Sequence, residues 1–406
     1  MSKGIETKPH IGIFGRRNTG KSSFINRLVN QQVAIVSEQA GTTTDPVRKS
    51  IEIFGIGPAI VIDTAGIDDV GELGAMRINR TMEVLRTVDC GVLLITGNGF
   101  GEEEERLIQG FREWDIPYLI VHNKEDLEQL RPETEKALRE GYGSTVIRFS
   151  AVLSNDLQEV TEALKDIIPD TAYRYATLIG DIVHKDDYVV LITPIDQEAP
   201  EGRMILPQIM VIRDVLDNDG INIVLKENQV TSFFQTSGIR PSLVITDSQV
   251  FHKVKDLVPE TVPLTSFSIV LARRKGNFEH YLKGTPHLEN LNNGDRVLIL
   301  ESCTHQVNCD DIGRNKLPRW IREFTGKSVE VDVVAGLDPV PADIRAYSLV
   351  IQCGGCMITR KQLQNRLKFA INAGIPVSNY GLAIAYMNGI FERVTAPFMT
   401  SDGSNQ

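Results

Sequence analysis

GRRNTGKS, residues 15–22, follows the apolar run HIGIFG and leads into KSSFINRLV, which reads as a helix. A Gly-x-x-x-x-Gly-Lys-Ser stretch between a strand and a helix is the setting of a phosphate-binding loop. Gly15 and Gly20 let the backbone curl so that its N–H groups face phosphate oxygens. The start of the helix adds partial positive charge. Lys21 is expected to reach the β- and γ-phosphates, and Ser22 to ligate magnesium.

The surroundings of that loop set the fold class. From residue 10 to 168 short apolar runs alternate with helical stretches: AIVID, MRINRTMEVLR, CGVLLIT, PYLIVHN, TVIRFS and a last helix to Ile168, stopped by Pro169-Asp170. Such alternation predicts a doubly wound α/β sheet. Three further stretches fall at the ends of predicted strands, where open α/β sheets bind ligands. In DTAG, residues 63–66, Asp63 is placed for the magnesium hydration shell and the Gly66 N–H for the γ-phosphate. In NKED, residues 123–126, Asn123 offers an amide and Asp126 a carboxylate. A carboxylate accepts from N1–H and the 2-amino group of guanine, donors that adenine lacks, so the pair selects GTP over ATP. At Ser150-Ala151 a backbone N–H can meet guanine O6. The expected nucleotide-binding set is Gly15, Asn18, Thr19, Gly20, Lys21, Ser22 and Ser23 with Asn123, Lys124, Asp126, Ser150 and Ala151.

Composition bounds the rest. A chain of 406 residues exceeds one ordinary core, so two or three domains are expected. No run approaches the roughly 18 apolar residues of a membrane span. The start, MSKGIETKPH, has no apolar signal region, so a cytoplasmic protein is expected. The net charge of −10 and the lack of a dense Lys/Arg block argue against a nucleic-acid partner. The densest basic cluster, Ala272-Arg273-Arg274-Lys275, reads as a solvated linker. Five cysteines in such a chain point to metal, redox or core roles, not disulfides.

Residues 177–265 read as a small α/β unit with strands in YVVLITPI, INIVL and SLVIT and a helix in PQIMVIRDVLDNDG. That helix is rich in apolar residues, which fits core packing or a dimer surface. Residues 270–406 alternate again: a helix around 280–291, DRVLILES, the helix DIGRNKLPRWIREF, VEVDVV, YSLVIQ, RKQLQNRLKFAINAG, IPVSN and a final helix near LAIAYMN. This is a second parallel-sheet pattern.

ESCTHQ places Cys303 and His305 directly after one strand; QCGGC places Cys353 and Cys356 directly after another. If those strands are parallel neighbours, all four groups converge on one sheet edge. Gly354 and Gly355 permit a tight loop against an inorganic group. By spacing alone a Cys3His zinc site and an iron–sulfur cluster stand level. A redox Cys-x-x-Cys would leave Cys303 unused. In a cluster, three thiolates would leave a fourth position for His305, Cys309 or a carboxylate such as Glu301.

The order of nucleotide motifs resembles the translation-factor-related small GTPases of the TrmE/Era group. The resemblance maps AGTTTD, residues 40–45, onto switch I and its magnesium-binding threonine onto Thr43. It implies a catalytic set of Lys21, Thr43, Asp63 and Gly66, and a potassium ion near Asn18. Ile67 stands where Ras-like proteins place a water-orienting glutamine, so slow hydrolysis is expected. Joined to Cys303-Thr304-His305 and Cys353-Gly354-Gly355-Cys356, the chain resembles the HydF family of FeFe-hydrogenase maturation GTPases. That resemblance implies a GTPase domain at 1–170, a dimerisation domain at 177–265 and a cluster domain at 270–406. It further implies a 4Fe–4S cluster on Cys303, Cys353 and Cys356, a homodimer, and a scaffold role. The scaffold would carry a di-iron precursor, made with radical-SAM partner enzymes, to the hydrogenase. Gln352 departs from the commoner His-Cys-x-x-Cys, which leaves the fourth ligand open. The competing class is a ribosome- or tRNA-maturation GTPase with a structural zinc.

Overall fold

The computed structural model describes residues 8–29, 37–39, 46–68, 71–144, 146–153, 157–169, 172, 177–194, 204–302 and 311–399. The chain forms two compact units, Met1–Tyr175 and Ala176–Gln406.

The first unit is built on one sheet of β1 (His10–Gly15), β2 (Ser37–Gln39), β3 (Val47–Ile53), β4 (Gly57–Asp63), β5 (Cys90–Ile95), β6 (Tyr118–His122) and β7 (Val146–Arg148). Their spatial order is β2-β3-β4-β1-β5-β6-β7. β3 runs antiparallel to both β2 and β4, whereas β4-β1-β5-β6-β7 is parallel throughout. Helices α1 (Lys21–Val29), α2 (Gly71–Val84), α3 (Glu102–Glu113), α4 (Pro132–Tyr142) and α5 (Gln158–Ile167) complete it. Central strands of a parallel sheet are covered on both faces and so read as continuous apolar runs. In β1, Ile11 and Ile13 face a core shared with Phe24 and Leu28 of α1 and Val160 and Leu164 of α5. Phe14 faces the opposite core with Ile108 and Phe111 of α3. This two-sided burial is the doubly wound arrangement expected from the alternation.

The second unit holds two four-stranded sheets, both wholly parallel. One has the order β11-β10-β8-β9, from β8 (Tyr188–Ile192), β9 (Ile221–Leu225), β10 (Leu243–Thr246) and β11 (Leu264–Ser266). The other has the order β13-β12-β14-β15, from β12 (Arg296–Leu300), β13 (Glu330–Val334), β14 (Leu349–Gln352) and β15 (Val377–Asn379). The helices are α6 (Leu206–Asp217), α7 (Val230–Thr236), α8 (Phe251–Val254), α9 (Phe267–Lys275), α10 (Phe278–Gly284), α11 (Leu317–Thr325), α12 (Arg360–Asn372), α13 (Tyr380–Met387) and α14 (Phe391–Met399). One continuous apolar core runs through both sheets.

Helix α9 corrects the linker expected at Ala272-Arg273-Arg274-Lys275. Ser266 caps it by accepting from the Ile269 N–H, and Phe267, Ile269, Val270, Leu271 and Ala272 are all buried. A helix apolar all round belongs inside a core, and α9 packs against α6, α12 and α13. Its basic end is not solvated. Arg273 and Arg274 both pair with Asp181, and Lys275 is only 8% exposed. The helix expected around 280–291 is two pieces: α10 gives way after Gly284 to a tighter 3-10 turn, Thr285–Asn290. A side chain at Gly284 would strike the Val377 backbone of β15, so close helix–strand packing fixes that position. No helix among the described residues is long and apolar enough to cross a membrane.

Candidate functional site

The loop 15–20 joins β1 to α1, and three strand ends, those of β4, β6 and β7, bring the other nucleotide motifs to it. Lys21 Nζ rests on the loop itself, donating to the carbonyls of Gly15 at 2.9 Å and Arg16 at 2.8 Å. Ser22 Oγ donates to Asp63 Oδ2 at 3.0 Å, so the two groups expected beside magnesium are adjacent. Burial pushes the Asp63 carboxyl above the ordinary carboxylate range, while the Ser22 hydrogen bond and the charges of Lys21 and Lys49 pull it down. Asn123 Nδ2 donates to the Thr19 carbonyl at 2.8 Å, tying the guanine loop to the phosphate loop. A Cβ at Gly20, which has φ +87°, would overlap that amide. Ser150 Oγ donates to Asp126 and accepts from the N–H groups of Val152 and Leu153, joining the last two motifs.

Gly66 packs against Arg17, and the Ile67 N–H donates to the Gly15 carbonyl at 3.3 Å, which holds DTAG against the loop. Ile67 is buried. Asn18 is exposed with φ 60°, Lys124 has φ 61°, Ser23 is exposed on α1, and Ala151 is half-buried. Thr43 lies outside the described residues. Three anchors were not foreseen. Buried Glu104 accepts from Arg16 Nε at 2.7 Å. The Arg17 N–H donates to Asp68 Oδ1 at 2.6 Å. Glu125 sits 2.6 Å from His122 Nδ1 and accepts from the Leu130 N–H, shaping the NKED turn.

β12 and β14 are parallel neighbours with Leu300 opposite Gln352, and the Cys353 N–H donates to the Leu300 carbonyl at 3.0 Å. Glu301 and Ser302 therefore stand beside Cys353. Cys353 Sγ lies 3.2 Å from the Ser302 N, 3.4 Å from the Gly355 N and 3.4 Å from Gln352 Nε2, all donors. Gly355, with φ +70°, turns the loop where a side chain would overlap Leu363. Lys275 Nζ holds that loop from behind, donating to the carbonyls of Gly355 at 2.8 Å and Ile358 at 3.0 Å. Arg366, buried in α12, donates to the carbonyls of Glu301 and Val334. Burial holds its pKa below the ordinary value, against the opposing influence of Cys353. Glu301 is buried and paired with Arg314 Nε at 3.1 Å.

A cavity of about 180 Å³ opens on these groups, lined by Cys353, Cys356, Glu301, Asp311 and Tyr380 and faced by Phe267. Cys303, His305 and Cys309 lie outside the described residues. Among the described residues no group of three or more His, Cys, Asp or Glu side chains is set to hold a metal ion. The donor chemistry nevertheless fits a metal-bound sulfur, because the N–H donors aimed at Cys353 Sγ complement the charge of a ligating thiolate. Lys275, Arg366 and Ser302 gave little sequence signal, because their partners lie 80, 65 and 51 residues away.

Comparison with known proteins agrees with this two-part layout. Residues 10–124 match the family described as 50S ribosome-binding GTPase. Residues 178–276 match the hydrogen maturase F dimerization domain, and 279–397 its tetramerization domain. The tRNA modification GTPase MnmE of Nitrosomonas europaea is 37% identical over 151 residues, 37% of this chain and 32% of that protein. GTPase Der of Campylobacter hominis is 30% identical over 182 residues, 42% of this chain and 39% of that one. The chain thus spans about a third of the length of the curated relatives it matches. Among solved structures, Era of Aquifex aeolicus is 17% identical, covering 54% of this chain and 93% of its own with a TM-score of 0.34. The FeoB G-domain of Methanococcus jannaschii is 20% identical, covering 40% and 99% with a TM-score of 0.32. With the dimerization and tetramerization models together matching residues 178–276 and 279–397 behind a GTPase domain, the chain belongs to the hydrogen maturase F (HydF) family.

Proposed function

We propose that this chain is a GTP-hydrolysing scaffold that carries a 4Fe–4S cluster, assembles a di-iron subcluster precursor and delivers it to FeFe-hydrogenase. The observation that carries this is a sulfur, Cys353 Sγ, surrounded by hydrogen-bond donors at the junction of two parallel strands. It sits in a chain that also holds a phosphate-loop motif and the Asn123/Asp126 pair expected to select guanine.

In the nucleotide site Lys21 leaves its loop carbonyls for the β- and γ-phosphates of GTP, and loop N–H groups hold the phosphate oxygens. Ser22 and Thr43 hold magnesium, with Asp63 ordering its water shell and the Gly66 N–H reading the γ-phosphate. Asn123 and Asp126 orient guanine, Asp126 being fixed in turn by Ser150. Buried Ile67 orients no water, so turnover is slow, and a potassium ion near Asn18 supplies the missing positive charge. GTP hydrolysis measured in potassium buffer should therefore exceed that in sodium buffer by about tenfold or more. Equal rates would remove the cation from the mechanism.

In the second unit Cys303, Cys353 and Cys356 hold the cluster, and the fourth position falls to His305 or a carboxylate such as Glu301. Three thiolates leave one iron with a replaceable ligand, which is the chemistry a carrier needs. Lys275 holds the Cys353–Cys356 loop from behind, and Arg366 holds the chain at Glu301 just past the end of β12. The maturase models carry dimerization and tetramerization in their descriptions, and a homodimer is proposed here. β9 is a sheet edge whose Ile221 and Val224 are exposed, as are Ile209 and Leu216 of α6. Among the described residues no strand pairs with this apolar edge, and an edge of this kind suits an isologous contact. The division of labour proposed is nucleotide turnover in 1–170, dimerisation in 177–265 and cluster binding in 270–406. The setting proposed is the cytoplasm, with radical-SAM maturation enzymes and the hydrogenase as partners and without nucleic acid.

A further inference from the structure

Gln352 is fully buried at the end of β14, immediately before Cys353. Its Nε2 donates to Ser302 Oγ at 3.0 Å and approaches Cys353 Sγ at 3.4 Å. Ser302 Oγ is itself 3.0 Å from Cys353 Sγ, and the Ser302 N–H lies 3.2 Å from the same sulfur. As a thiol, Cys353 donates to the serine oxygen. As a thiolate it accepts from the serine hydroxyl. A sulfur that ligates metal has no proton to give, so the serine hydroxyl donates to it, and Gln352, by donating to Ser302 Oγ, leaves that hydroxyl proton free to point at sulfur. Hydrogen bonds joined head to tail in this way polarise one another.

The amide is oriented by the same logic. Its oxygen, Gln352 Oε1, is buried without a hydrogen-bond partner among the described residues. Leaving a buried acceptor unsatisfied is unfavourable, but turning the amide over would set that oxygen against a thiolate. The backbone on both sides is fixed: Asn379 Nδ2 donates to the Gln352 carbonyl at 3.1 Å, and Arg366 donates to the Glu301 carbonyl beside Ser302.

We propose that Gln352 and Ser302 form a clasp across the ends of β12 and β14 that orients Cys353 and raises the reduction potential of the cluster, Gln352 serving as a positioning residue and not as an iron ligand. This rests on the cluster proposed above. Donors to a ligating sulfur draw charge from it, which favours the reduced cluster after uptake of one electron. The clasp also joins the chain just past the end of β12 to the loop that carries Cys353 and Cys356.

The test is a potentiometric titration, followed by EPR with dithionite as reductant, of the full chain after anaerobic reconstitution. The variants are Gln352→Leu, Ser302→Ala and the double variant, each with iron and sulfide content and a thermal melt. Gln352→Leu should keep the iron content of the unaltered chain. At the unaltered midpoint its ratio of reduced to oxidised cluster should fall about tenfold, equivalent to about 59 mV for one electron. Ser302→Ala should shift in the same direction. The double variant should shift by less than the sum, because both side chains act on one sulfur through one relay. A midpoint unchanged in Gln352→Leu, or loss of iron from a folded Gln352→Leu chain, overturns the proposal. If Gln352→Leu fails to fold, Ser302→Ala decides, and an unchanged midpoint there overturns it. An unaltered chain that takes up neither iron nor sulfide would instead sink the cluster assignment itself.

Discussion

Lys21→Ala is expected to lower GTP turnover by about 10²–10³-fold, the cost of removing one preorganised donor from a phosphoryl-transfer site. The Lys21 ammonium rests on the Gly15 and Arg16 carbonyls, within the loop proposed to cradle phosphate. Phosphate release at saturating GTP is the readout, with nucleotide affinity measured beside it. The iron content should stay at the level of the unaltered chain, because Lys21 belongs to the first compact unit and the cysteines to the second. Turnover near that of the unaltered chain would contradict the role given to Lys21.

Cys356→Ala is expected to reduce bound iron from about four per chain to below one, since two remaining thiolates anchor a cubane too weakly. GTP turnover should be unaffected. The loop itself should survive the change, because its turn is set by Gly355 and its back is held by Lys275. Cys303→Ala and Cys353→Ala should behave alike. His305→Ala and Cys309→Ala should be milder, since each supplies at most a replaceable fourth ligand. Iron lost from Cys309→Ala but kept in Cys353→Ala would overturn the ligand set.

The nucleotide half was legible because its information is local. GRRNTGKS, DTAG and NKED each carry their chemistry within a few residues of a strand end, and the alternation of runs brings those ends together. The pairing of β12 with β14 was legible in the weaker sense that both cysteine motifs directly follow apolar strands. What sequence concealed was long-range satisfaction of buried charge. Arg273-Arg274-Lys275 carries the charge of a solvated linker, and partners distant in sequence, among them the carbonyls of Leu178, Gly355 and Ile358 and the carboxylate of Asp181, explain its burial. Helix α14 was hidden by Pro397 within it, since proline argues against a helix interior. Strand β3 was missed because it alternates at a sheet margin, with Ile51 and Ile53 buried among charged neighbours. Gln352 raised a question of ligand identity by its type alone; its contacts with Ser302 and Cys353 give it a different place.

The measurement that bears most directly on the central claim is metal and sulfide analysis of the full chain purified without oxygen, with an EPR spectrum after dithionite. The account predicts about four iron and four sulfide per chain, no stoichiometric zinc, and the signal of a reduced 4Fe–4S cluster. One zinc per chain with neither iron nor sulfide would contradict it, and would favour a GTPase whose cysteines serve only to brace the fold.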